Sequence, residues 1–319
     1  VSVTAGILVR RFGGPEVLEP VGLPTKSPEP GEVAIEVEAA GVTFIETQLR
    51  AGHAPRPEMA PDLPWVPGNG VAGTITAIGE GVDPALLGRR VASSTGGSGG
   101  YAERVVVPAD LPVGIPTGLA SDVAAALVAD GRTAVGLAKD VAPAPGERVL
   151  IAPAAGGVGS LLIQLALREG ATVVAAAGGD EKIAAARALG AGEGHDYLAP
   201  DWSEAIEPLD VVLDGVGGPV GAAAFARLRA GGRYLPFGAA GGAFAPIDRA
   251  EAWDRNIAVV SSPPPTPAEN RSRIVAALEA ASAGSLDPSI GASLTLAEAA
   301  AAHRAIEARE TIGKTLLIP

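Results

Sequence analysis

An apolar stretch, Arg148–Pro153, runs into Ala154-Ala155-Gly156-Gly157-Val158-Gly159, and Val158, Leu161, Leu162 and Leu165 then recur at helical spacing until Gly170. Strand, glycine loop and helix in that order form the first half of a βαβ unit, which commits the region to a parallel sheet. Further short apolar strands are expected at 172–177, 209–214, 232–237 and 257–260, each suited to burial on both faces. Ala-rich helical stretches separate them. From about Ser121 onward the chain therefore reads as α/β, a parallel sheet wrapped in helices.

The preceding region has a different texture. Gly31–Glu38, Val71–Ile78 and Tyr101–Val107 alternate apolar and polar residues with period two, and Pro and Gly clusters separate them. A β-rich domain is expected over 1–120 and the α/β domain over 121–265, with the boundary near 118–125. In the remaining segment, 266–319, Thr266-Pro267-Ala268-Glu269 is a capping box with Pro at the first helical position, opening a helix to about Ala283. A second box, Thr295 to Glu298, starts a helix through Arg309, and Lys314–Pro319 reads as a last strand.

Composition narrows the function. The 319 residues leave room for about two domains with substantial cores. Lys plus Arg total 24 against 36 Asp plus Glu, a net charge of −12 with no basic run, which disfavours nucleic acid and anionic membrane as partners. The absence of cysteine removes disulfides, thiolate nucleophiles and thiolate zinc sites, and three histidines make a metal centre improbable. No run of about 20 apolar residues and no secretion-type segment is found, so a cytoplasmic location is expected.

The glycine loop has the context of a dinucleotide fingerprint, with Ala154 at the first glycine position. Gly156 admits a pyrophosphate close to the backbone, and Gly159 lets the helix pack tightly on the strand. Ala155, Gly157 and Val158 complete a turn whose N–H groups and helix dipole face an anion. An NAD site places an acidic residue at the end of the second strand; here that position is Ala177, followed by Gly178 and Gly179. Small residues leave room for a 2′-phosphate and Lys182 supplies positive charge, so NADPH is expected over NADH.

These residues sit within a longer pattern: Phe12-Gly-Gly-Pro-Glu-Val-Leu, Pro30-Gly-Glu-Val, Gly41-Val-Thr-Phe-Ile-Glu-Thr, Val66-Pro-Gly, Gly88-Arg-Arg-Val, Gly100-Tyr-Ala-Glu, Ala155-Gly-Gly-Val-Gly and Gly313-Lys-Thr-Leu-Leu-Ile-Pro. From Gly6 to Pro319 the chain resembles the zinc-independent, zeta-crystallin-like NADPH:quinone oxidoreductases of the medium-chain dehydrogenase/reductase superfamily. The resemblance implies a GroES-like β-rich catalytic domain, a Rossmann doubly wound cofactor domain, an active site in the cleft between them and a homodimer formed through the sheet edge near Ile257–Ser261. It places Thr133 and the pair Phe237-Gly238 near the nicotinamide and Tyr197 against the adenosine phosphate, and its last matching stretch adds Lys314 to the cofactor set. Zinc-dependent relatives carry a cysteine after Gly41-Val and a Gly-His-Glu triplet after the Val-Pro; this chain has Thr43 and Gly68-Asn69-Gly70. The family's usual Asn is Thr43, and two aromatic positions of the cleft are Gln48 and Ala54.

The chemistry implied is metal-free hydride transfer to a small quinone or to the double bond of an α,β-unsaturated carbonyl compound. Developing enolate charge requires donors, for which Thr43, Gln48 and His53 are candidates. The alternative reading is a non-catalytic NADPH-binding structural or interaction protein. Gly96-Gly-Ser98-Gly-Gly100 matches a hydrolase string but is followed by a strand rather than a helix. Glu46 is expected to be structural, as a salt bridge or helix cap. His195 should end a strand, His303 should lie on a solvated helix face, and Trp65, Trp202 and Trp253 should be buried in cores or interfaces.

Overall fold

A computed structural model describes residues 2–319, and these divide into two compact units, 2–131 with 267–319, and 132–266. In chain order, the first unit opens with strands β1 (Val3–Leu8), β2 (Glu19–Pro24) and β3 (Glu32–Val42) and helix α1 (Phe44–Ala51). It continues through β4 (Gly70–Ile78), β5 (Arg90–Ser94), β6 (Arg104–Pro108), β7 (Val113–Gly114) and α2 (Ser121–Ala126). The second unit holds α3 (Arg132–Val141), β8 (Arg148–Ala152), α4 (Gly157–Arg168), β9 (Thr172–Ala177), α5 (Asp180–Ala188), β10 (Glu193–Asp196), β11 (Leu209–Asp214), α6 (Gly218–Ala226), β12 (Leu228–Pro236), α7 (Arg249–Asp254) and β13 (Ala258–Val259). Helix α8 (Pro267–Ser282), strand β14 (Ile290–Thr295), helix α9 (Ala299–Glu307) and strand β15 (Lys314–Ile318) return to the first unit.

In the second unit six parallel strands run in the order β10-β9-β8-β11-β12-β13. Counted from β8 this is 3-2-1-4-5-6, the doubly wound order whose ligand crevice lies beyond the carboxyl ends of the strands, at the switch between the first and fourth. Strand burial follows the expected two-sided pattern: Val149–Ala152, Val173–Ala177 and Leu209–Asp214 are buried at every residue. Strand β10, with the polar sequence Glu-Gly-His-Asp, has no periodic signal and extends the sheet by main-chain pairing to β9.

The first unit is built on a sheet ordered β14-β15-β3-β4-β5-β7, with β6 paired to β3 and a separate β1-β2 hairpin. Its core gathers Ile7, Val33, Ile35, Trp65, Ile75, Tyr101 and Leu317. Strand β15 pairs antiparallel with β3, which fixes the C-terminal segment to this unit. The unit runs past residue 120: α2 packs on β3 and β4, and a π-helical turn, Leu127–Gly131, with all five residues buried, packs against α2 and α8. Helix α8 begins at Pro267, the position expected after Thr266. The second capping box yields a 3₁₀ turn, Leu296–Glu298, before α9, which ends at Glu307 ahead of the left-handed Arg309. Strand β6 begins at Arg104 rather than at Tyr101, whose side chain is fully buried. No helix among the described residues is long and apolar enough to cross a membrane.

Candidate functional site

Each turn expected to hold the cofactor follows the carboxyl end of a strand of the parallel sheet. Beyond β8, Gly156 caps α4, so the N–H groups of Gly157, Val158 and Gly159 have no partner within the helix. A Cβ on Gly159 would stand 2.0 Å from the Pro153 carbonyl oxygen and 2.8 Å from that of Ala154. The helix start is thus pressed onto the strand end at a distance only glycine permits. Ala155 is buried beneath the loop, while Gly156, Gly157 and Val158 remain partly exposed.

At the end of β9 a Cβ on Gly178 would lie 3.2 Å from Tyr197 Cε2 and 3.3 Å from Leu198 Cδ1, so the Tyr197 ring rests beside the bare backbone. Asp196, opposite Ala177 in the sheet register, accepts the Gly179 and Leu198 N–H groups at 3.0 and 2.9 Å. The sequence pattern does not single out this carboxylate. It belongs to the third strand, so the second-strand rule passes over it, and it ties two turns together. Lys182 is half-buried in the first turn of α5, after the exposed Asp180 and Glu181.

Beyond β11, buried Asp214 accepts the Val216 and Gly217 N–H groups at 2.9 and 2.8 Å and the Tyr234 hydroxyl at 2.5 Å. Burial, reinforced by Asp214, raises the Tyr234 phenol well above its usual range, so it stays a donor. The Phe237 N–H donates to the Asp214 carbonyl at 2.7 Å, and a Cβ on Gly215 would meet the Phe237 ring at 2.5 Å. Gly238 approaches the Gly215 carbonyl equally closely, at 2.8 Å from a Cβ position. Thr133 is half-buried in the first turn of α3. Lys314 lies in the first unit, where its ε-amino group is buried and donates to Asp130 at 3.0 Å.

The candidate donors Thr43, Gln48 and His53 all belong to α1 and its ends. Thr43 is the N-cap, and its N–H donates to Glu46 Oε2 at 2.7 Å, the backward half of a capping box. Gln48 is half-buried and donates one amide hydrogen to Thr47 Oγ1 at 3.1 Å. Five residues on a helix turn the side chain by about 140°, so α1 does not bring Gln48 and Thr43 to one point. His53 is exposed beyond Gly52, which ends the helix with a φ of 85°. Ala54 packs onto the apolar core.

Glu46 does more than cap the helix. Its Oε1 accepts the Asn69 N–H at 2.8 Å, and its Oε2 also accepts the Tyr101 hydroxyl at 3.0 Å. Tyr101 in turn lies 3.0 Å from His303 Nε2. His303 is therefore not on a solvated face: it is fully buried, because α9 turns that side toward α1. Burial and the nearby Arg50 guanidinium depress its pKa to about 3, keeping the imidazole neutral. Burial raises the Glu46 carboxyl, and Arg50, also fully buried, pairs with Glu307. Trp65 is buried and Trp202 half-buried, whereas Trp253 is 85% exposed and so lies outside both cores. Ser98 of the hydrolase-like string sits in an exposed turn, donating to the Val66 carbonyl at 3.2 Å.

Comparison with known proteins fits this geometry. Residues 29–117 match the alcohol dehydrogenase GroES-like domain and 189–317 the zinc-binding dehydrogenase family. A 2-haloacrylate reductase of Burkholderia sp is 31% identical over 98% of each chain, and a quinone oxidoreductase of Pseudomonas aeruginosa is 31% identical over 97% of each. Among solved structures, a mycobacterial protein complexed with NADPH is 34% identical over 99% of this chain and 100% of that one, with a TM-score of 0.89. The Escherichia coli quinone oxidoreductase complexed with NADPH is 28% identical at the same coverage, with a TM-score of 0.90. The two units accordingly have the GroES-like and Rossmann folds.

Proposed function

Because this chain belongs to the quinone oxidoreductase family of the medium-chain dehydrogenase/reductase superfamily, and is thus an oxidoreductase, we propose that it uses NADPH to reduce the double bond of a conjugated enone or enal, with quinones as poorer acceptors. The observation that carries the cofactor assignment is the Gly159 contact, which fits the loop to a pyrophosphate. Gly156 to Gly159 would hold the pyrophosphate, Gly178, Lys182 and Tyr197 the adenosine end, and Thr133, Phe237 and Gly238 the nicotinamide end, while Lys314 is engaged by Asp130. Bound NADPH supplies a hydride for the acceptor's β carbon. The chain's own part is to hold the acceptor, exclude competing water and donate to the carbonyl oxygen as it gains charge, with a proton from solvent completing the α carbon.

Thr43 and Gln48 replace an Asn and an aromatic residue of the family pattern, which favours recognition of a carbonyl by hydrogen bonds over stacking of a quinone. Thr43→Val is expected to lower turnover roughly 10²-fold while leaving NADPH affinity unchanged, as for loss of one transition-state donor. Full turnover in both Thr43→Val and Gln48→Leu would remove this segment from the mechanism. No metal takes part, since Thr43, Asn69 and Gly70 stand where zinc-dependent relatives place ligands.

The preference for NADPH rests on Lys182 and on Ala177, with Asp196 engaged by two backbone N–H groups. Lys182→Ala should weaken NADPH by about 1–3 kcal/mol in titrations and leave NADH nearly untouched. Equal wild-type affinities for the two cofactors would contradict it. The homodimer reading rests on β13, the edge of the parallel sheet, where Val259 is 39% exposed, and on Trp253, exposed in the preceding helix α7. Light scattering should give a dimer mass at micromolar concentration and a monomer for Trp253→Glu; a monomeric wild type would remove it.

A further inference from the structure

We propose that the side-chain amide of Asn69 is a catalytic hydrogen-bond donor to the carbonyl oxygen of the acceptor, acting beside Thr43, with Glu46 and Ser94 as its positioning residues. This rests on the reductase reading above. A single buried carboxylate joins the two positions: Glu46 accepts the Thr43 N–H on Oε2 at 2.7 Å and the Asn69 N–H on Oε1 at 2.8 Å. Two main-chain positions 26 apart in sequence are thereby held on the two oxygens of one carboxylate.

The rest of Asn69 is fixed with equal care. Its carbonyl accepts the Thr95 N–H at 3.0 Å, and its Oδ1 accepts the Ser94 hydroxyl at 3.1 Å. Ser94 Oγ in turn accepts the Gly96 N–H at 3.4 Å, which ties the hydroxyl to the turn that follows β5. With Oδ1 taken, the Nδ2 group faces away as a donor, and it makes no hydrogen bond among the described residues. The loop beneath is braced by the Gly99, Gly100 and Tyr101 N–H groups, which donate to Val66, Gly68 and Pro67 at 2.7, 3.2 and 2.8 Å. Asn69 itself is only half-buried, so its amide is reachable.

A donor held in advance, with no partner to give up, is what charge development on an oxygen requires. As the β carbon gains the hydride, the electron pair of the C=C bond shifts toward the carbonyl, whose oxygen becomes the enolate oxygen. Asn69 Nδ2 donates to that oxygen, and protonation of the α carbon by solvent returns it to a neutral carbonyl.

The test uses the wild type, Asn69→Ala, Asn69→Asp and Ser94→Ala, each with NADPH and the best enone from a panel, together with titration of 4-nitrophenolate, an enolate mimic, into the complex with NADP⁺. Asn69→Ala should lower kcat roughly 10²-fold, and Asn69→Asp, which keeps the volume but sets a carboxylate against the oxyanion, at least as far. Both should keep the wild-type melting temperature and NADPH affinity, and both should bind 4-nitrophenolate at least about tenfold more weakly. Ser94→Ala should give a smaller loss of the same kind, because the amide survives but is no longer oriented. Folded Asn69 variants that keep kcat and 4-nitrophenolate affinity within about twofold would overturn the donor assignment alone. A wild type that binds NADPH but fails to oxidise it with every acceptor of the panel would overturn the reductase reading and the donor with it.

Discussion

Gly159→Ala should cost the protein about 3 kcal/mol or more in stability and weaken NADPH at least 10²-fold, whereas Gly156→Ala should fold normally and lose only cofactor affinity. The two glycines lie three residues apart in one turn. Helix propensity alone favours alanine at Gly159 by about 1 kcal/mol. Against it stands a Cβ position 2.0 Å from the Pro153 carbonyl oxygen, a main-chain atom at the end of β8 that no rotamer change can move. Relief requires sliding α4 off the strand, and overpacking of that kind costs more than the propensity gains. At Gly156 the same added carbon would find Pro153 no nearer than 3.7 Å, an ordinary contact, with φ at −78°. Any loss there reports the close approach of the ligand. Thermal melts and NADPH fluorescence titrations of both variants make the comparison; a stable, cofactor-binding Gly159→Ala would contradict the account of the loop.

His303 predicts acid lability. Its folded pKa of about 3 lies below the ordinary 6.5, so between those values the unfolded chain binds a proton that the folded one refuses. Stability is therefore fully present above about pH 6.5 and is lost as pH falls toward 3, by an amount on the order of 4–5 kcal/mol. Glu46 acts in the opposite direction. Its carboxyl is raised, so the folded state takes up a proton first and gains stability as pH falls. The quantity to measure is thus the stability of wild type minus that of His303→Gln, from urea unfolding at several pH values. The difference should shrink steadily below pH 6.5. A constant difference would mean that the imidazole is not held neutral in the folded protein.

How much of this is legible in the sequence depends on the range of the interaction. The glycine loop, the helix stopped at Gly170 and both capping boxes are local patterns, and each has its counterpart in α4, α8 and the turn before α9. The parallel strands are legible because two-sided burial leaves an unbroken apolar run. Strand β10 is not, since its place in the sheet rests on main-chain pairing alone. The Glu46, Tyr101 and His303 chain joins residues 55 and 202 positions apart, and nothing local marks them as partners. His303 lies in a run of alanines with an arginine beside it, which reads equally well as solvated. Asn69 stands out in the sequence only as a missing metal ligand; its role as an oriented amide depends on Ser94 and Glu46, neither of which is near it in sequence.

Reduction of an activated alkene at the expense of NADPH can be followed through nicotinamide absorbance with the purified protein and a panel of enones, enals, enoyl thioesters and quinones, with and without a strong chelator. Acceptor-dependent loss of NADPH is expected, faster with a conjugated enone or enal than with benzoquinone, slower with NADH, and unchanged by the chelator. NADPH that binds but is not consumed with any of these acceptors would contradict it and leave a non-catalytic cofactor-binding protein.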